Sequence, residues 1–64
     1  GTPSAEAARK GLAIARAAES HAIEFYAEAA GVVDDGSTKR LLAELEAEER
    51  IHLGRIETLL ADAR

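Results

Sequence analysis

The stretch Leu41–Leu42–Ala43–Glu44–Leu45–Glu46–Ala47–Glu48–Glu49–Arg50–Ile51–His52, continued by Leu53, Ile56, Leu59 and Leu60, decides the fold. Its apolar residues recur in alternating three- and four-residue steps, the period of one face of an α-helix. The stripe reads Leu42, Leu45, Glu49, His52, Ile56, Leu59, so a carboxylate and an imidazole interrupt an otherwise apolar seam. Both are strongly disfavoured in such a place unless something compensates them. Glu49 and His52 stand three residues apart, the spacing by which one helix offers two ligands to a single metal ion.

Upstream, Ala and Glu dominate as far as Ala30, and both are good helix formers. Thr2 and Pro3 form a start signal, with Thr2 as N-cap and Pro3 at the first helical position. Gly11 weakens this first helix locally, by about 1 kcal/mol relative to alanine. Gly31 stands where a C′ terminator would. The segment 31–37 reads as the connection, and Ser37 or Thr38 as the cap of a second helix running to about Asp62. Asp34 and Asp35, just ahead of that helix, suit the positive end of its dipole. No strand-like alternation occurs. The expected architecture is all-α: an antiparallel two-helix hairpin, with helix 1 over about 3–30 and helix 2 over about 38–62, forming a single domain over 1–64.

Helix 1 carries its own stripe of Leu12, Ala15, Glu19, Ala22/Ile23, Tyr26 and Ala29/Ala30, again broken by one glutamate. Facing residues of an antiparallel hairpin have a constant index sum, and a turn centred between Asp34 and Asp35 sets it near 69. Glu19 then lies opposite position 50, between Glu49 and His52. The charged breaks in the two seams meet at one height, which points to metal ligation; a paired buried charge or a device fixing register is the alternative for any one of them.

Composition limits what such a hairpin can do alone. The 64 residues are 47% hydrophobic, but fifteen of those residues are alanines and fifteen are large. Without cysteine there is no disulfide, and a chain below about 70–80 residues rarely builds a sufficient core unaided. The staple is expected to be a metal, a partner chain or both. Pairing two hairpins about a twofold axis gives a four-helix bundle and doubles the ligand set to four Glu and two His. That is the complement of a carboxylate-bridged di-iron site, with oxygen and imidazole donors that suit iron or manganese and admit zinc.

The formal net charge is −4, and the eight Lys and Arg residues are scattered, with no basic run to neutralise phosphates. Nucleic acid and anionic membrane surfaces are poor partners for such a chain. There is no apolar run near 18 residues, no signal peptide and no lipidation motif, so the default expectation is a soluble, cytoplasmic protein. Glu24, Glu28, Glu44, Glu46, Glu48 and Glu57 read as a solvated face, partly supported by pairs such as Glu46–Arg50. His21 points away from the seam. A second apolar line comprises Ile14, Ala18, Phe25 and Ala29 on helix 1 with Leu41, Ile51 and Leu53 on helix 2. It is either a widened core or a second interface.

The stretch Glu19–Ser20–His21–Ala22–Ile23–Glu24–Phe25–Tyr26, followed by Leu41 to His52, resembles a minimal ferritin-like (rubrerythrin-type) domain. The likeness is nearest to the encapsulated ferritins, half-ferritins with two main helices. The features that carry it are a Glu seven residues before the Tyr of an aromatic–Tyr pair, and Glu-x-x-His one short loop on; they span roughly Leu12 to Leu60. The resemblance implies ferroxidase activity at a di-iron site shared between two chains, for iron storage or detoxification. Glu19 and Glu49 would be ligands, one of them bridging, with His52 terminal and Tyr26 beside the site. Iron is the implied metal, with zinc, manganese or calcium as substitutes. The implied partners are further copies of the chain, as a dimer or a ring of dimers, and an encapsulin shell whose compartment would house it. Where the encapsulated ferritins carry extra acidic residues near the metal entry, this chain has Ala18 and His21. A rubrerythrin-like peroxidase is a second reading, although no cysteine-ligated iron module is present. The third is a helical dimerisation module holding a structural metal.

Overall fold

A computed structural model describes residues 4–62. They form two α-helices packed along each other, α1 (Ala5–Val32) and α2 (Gly36–Asp62). The expected all-α hairpin is therefore present, and its boundaries differ from the sequence reading for identifiable reasons. Thr2 and Pro3 lie outside the described residues. Ser4 is the N-cap of α1: its extended backbone turns the chain into the helix, and its Oγ accepts the Ala7 N–H at 3.0 Å. The helix runs unbroken through Gly11.

Gly31 does not terminate α1. No described glycine adopts positive φ, so the left-handed C′ cap that would use Gly31 is not made. The helix continues to Val32, and Val33 ends it by turning extended while its N–H still reaches the Ala29 carbonyl at 3.2 Å. The connection is thus three residues, 33–35, rather than seven. Nor is Ser37 or Thr38 the cap of α2. Asp35 fills that place: its Oδ2 accepts the Thr38 N–H at 2.8 Å, the Ser37 hydroxyl at 2.7 Å and the Thr38 hydroxyl at 2.8 Å. Its carbonyl accepts the Lys39 N–H. The two hydroxyls read as caps are donors to the residue that caps. These donors pull the Asp35 carboxyl down to about 2, the Ser37 hydroxyl contributing most and Thr38 next.

The seam is thin. Among the described residues only Ile23 is buried, at 7% exposure. Leu12, Tyr26, Leu42, Leu45, Leu53, Ile56 and Leu60 are half-buried. Leu53 therefore belongs to the seam rather than to the second apolar line, while His52 and Leu59, counted in the main stripe by spacing, sit on its exposed shoulder. The Glu46–Arg50 pair forms as expected, with Arg50 Nε and Nη2 both donating to Glu46 Oε2 at 3.0 and 2.8 Å. The hairpin measures 49 × 18 × 14 Å, with a radius of gyration of 15.0 Å. A compact chain of this length would have about 11 Å. Among the described residues no helix is long and apolar enough to cross a membrane.

The Asp35 cap can be tested by melting. Its depressed carboxyl contributes stability above the ordinary value of 3.8, and that contribution is lost as pH falls toward about 2. Asp35→Ala is expected to lower the thermal midpoint at pH 7 by several degrees, with the difference from the parent shrinking between pH 4 and pH 2. Circular dichroism melts across that range check it; equal midpoints at pH 7 would remove the cap from the account.

Candidate metal centre

The site forms where the two charged breaks meet. Glu19 comes from the middle of α1, and Glu49 and His52 come from adjacent turns of α2. The antiparallel packing and the three-residue connection bring the Glu19 side chain to those of Glu49 and His52. Each of the three side chains offers a ligand atom within 4.8 Å of the others. Among the described residues no other group of three His, Cys, Asp or Glu converges in this way.

The exposure is graded. Glu19 is half-buried and its Oε2 is fully enclosed, with no hydrogen-bond partner. The Glu49 side chain is 23% exposed and that of His52 51%. His52 Nδ1 stands 3.5 Å from Glu49 Oε1, too long for a good hydrogen bond and compatible with both atoms facing a common point. Ligand atoms at about 2.0–2.2 Å from one ion can be no more than about 4.4 Å apart. The observed spread exceeds that bound by a few tenths of an ångström, which small torsions of the glutamate side chains close.

The electrostatics ask for a cation. The Glu19 carboxyl is raised above its ordinary value of 4.5, first by its contact with the Glu49 carboxyl, then by desolvation, then by repulsion from the Glu49 charge. His52 pulls in the opposite direction, less strongly. The contact therefore favours a proton on Glu19, and a cation beside the two carboxyl groups would be favoured for the same reason. Oxygen and imidazole donors without thiolate fit a divalent first-row metal such as iron, manganese or zinc. Three such residues would leave coordination positions of an ion unfilled within one chain.

Tyr26, expected beside the site, lies half-buried on the Glu19 stripe two turns further along. Its ring meets Phe25 edge-to-face at 5.7 Å, and among the described residues its hydroxyl makes no hydrogen bond to the carboxyl pair. His21 and Glu24 are exposed and stand outside the cluster. The structure adds no residue to the trio read from spacing.

In the metal-free protein a carboxyl raised on folding favours the native state at low pH, and this advantage is lost as pH rises through the raised value. Its stability is therefore expected to fall as pH rises from 4.5, while Glu19→Gln should flatten that dependence. Urea midpoints from pH 4 to 8 after chelation measure it; a parent profile as flat as that of the variant would contradict the carboxyl contact. Comparison with known proteins finds no match to this chain, whether among family models, curated proteins or solved structures.

Proposed function

We propose that the chain oxidises Fe(II) to Fe(III) at a two-iron centre shared between two copies, each supplying Glu19, Glu49 and His52, in the service of iron storage or detoxification. The observation that carries this reading is that Glu19, whose Oε2 is enclosed and unpartnered, brings its carboxylate to Glu49 and His52 across the helix seam. A structural ion pair would have brought a Lys or Arg to that atom. The ligand set instead has only acceptors and an imidazole, which leaves room for a cation from outside.

Iron is the substrate here, and the residues divide the work. Glu49 and His52, on one face of α2, bind and orient each ion as a pair set by helix geometry. Glu19, arriving from α1, is free to lie between two ions because no protein donor holds it. Each Fe(II) loses one electron on oxidation. Dioxygen accepts two electrons and two protons to give hydrogen peroxide, or peroxide accepts two electrons and two protons to give water. Carboxylates favour the product state because their negative charge offsets the positive charge that each ion gains. The enclosure of Glu19 strengthens that effect by keeping water from screening it. No nucleophile or general base is needed.

A structural metal in the same position is the competing reading, and kinetics separate the two. Glu19→Ala, Glu49→Ala and His52→Ala each delete a ligand twice per shared site, so Fe(II)-dependent oxygen consumption is expected to fall at least about a hundredfold in all three. Metal-free Glu19→Ala and Glu49→Ala should melt no lower than the parent, because the carboxyl crowding is relieved. Glu24→Ala, on an exposed part of α1, should change neither property. Oxidation at the parent rate by Glu49→Ala would refute the assignment, and bound metal without oxygen consumption in the parent would favour the structural role.

A further inference from the structure

The cation closest to the cluster along α2 is Arg50, which stands between Glu49 and His52 in the sequence. A guanidinium is permanently charged, and its planar fork matches a carboxylate closely. Residues adjacent on a helix diverge, so the cluster carboxylate open to Arg50 is that of Glu19, brought across from α1. Arg50 does not take it. Its Nε and Nη2 both donate to Glu46 Oε2, at 3.0 and 2.8 Å, one turn back along α2. The charge that opposes the rise of the Glu19 carboxyl is that of His52, and Arg50 leaves the group untouched.

Glu46 is suited to this hold. A glutamate four residues before a basic residue is the favourable order on a helix. The Glu46 side chain is 23% exposed and that of Arg50 60%, so the carboxylate is set against the hairpin and the guanidinium is drawn back to it. An ion pair this open to solvent adds little to stability. Its place one turn from Glu49 gives it another consequence. Released from Glu46, Arg50 would be free to reach across the seam and give Glu19 a protein partner. The hairpin would then hold an internal ion pair, and a metal ion would have to displace a guanidinium in order to bind.

We propose that Glu46 is a positioning residue: by engaging Arg50 it withholds the chain's own cation from Glu19, and so leaves the carboxyl pair to a divalent metal ion. The inference rests on metal binding by Glu19, Glu49 and His52, and not on what the metal then does.

Zinc, which has no redox chemistry, is the probe. In calorimetric titration Glu46→Gln should bind Zn²⁺ at least about tenfold more weakly than the parent. Adding Arg50→Gln to it should restore the parent affinity, and this double variant keeps the parent's net charge. Glu44→Gln, on an exposed part of α2, removes the same charge as Glu46→Gln and should bind zinc as the parent does. Affinity that stays low in the double variant would make Glu46 a ligand or a support of the fold, and overturns the inference. A second measurement needs no metal. With Glu46 in place, the urea-midpoint shifts of Arg50→Gln and Glu19→Gln at pH 7 should add. In the Glu46→Gln background they should not, because Arg50 then touches Glu19. Additive shifts in both backgrounds overturn the inference as well. Should Glu46→Gln lose its helicity, Glu46→Asp, which keeps the charge and shortens the reach, replaces it in both tests. Zinc binding that is lost and restored as expected, without iron oxidation, would keep the inference and discard the ferroxidase reading. A parent that binds no zinc defeats both.

Discussion

Two carboxyl groups that meet in the seam of a hairpin favour a proton or another positive charge beside them. Glu19 and Glu49 impose that condition, and much of the chain can be understood as meeting it. The helices must run antiparallel, be joined tightly, and present positions 19 and 49 at one level, or the two groups would separate into solvent. Alanines along the α1 stripe keep the helices close enough for two short acidic side chains to meet. Glu19 Oε2 is enclosed there with no hydrogen-bond partner.

The same condition explains why so small a chain keeps so little interior. Among the described residues Ile23 alone is buried, a core too small to hold them in one compact state unaided. An acidic pair in the seam weakens the hairpin further at neutral pH. A ligand or partner that bound only the folded hairpin would add to its stability by mass action.

The helical period of Leu42, Leu45 and Ile56, and the two glutamates breaking facing stripes, were readable from spacing alone because both depend on local geometry. The structure brings Glu19, Glu49 and His52 together for that reason. The turn was misread. Gly31, Ser37 and Thr38 each have the right chemistry for a terminus. Which residue takes the role is settled by competition for hydrogen bonds, and Asp35, a stronger acceptor, gathers three donors at once. Shoulder positions were also ambiguous. A stripe more than 100° wide cannot tell Leu53 from Leu59 until the crossing of the helices fixes which one faces inward.

The two acidic centres of the hairpin respond to acid at opposite ends of the carboxylate range. Glu19 takes up its proton early, and Asp35 holds its charge down to about 2. Mild acidification therefore protonates Glu19 while Asp35 keeps its charge and its three donors. The bend stays latched at a pH where the side chain it brings across the seam has already changed its charge.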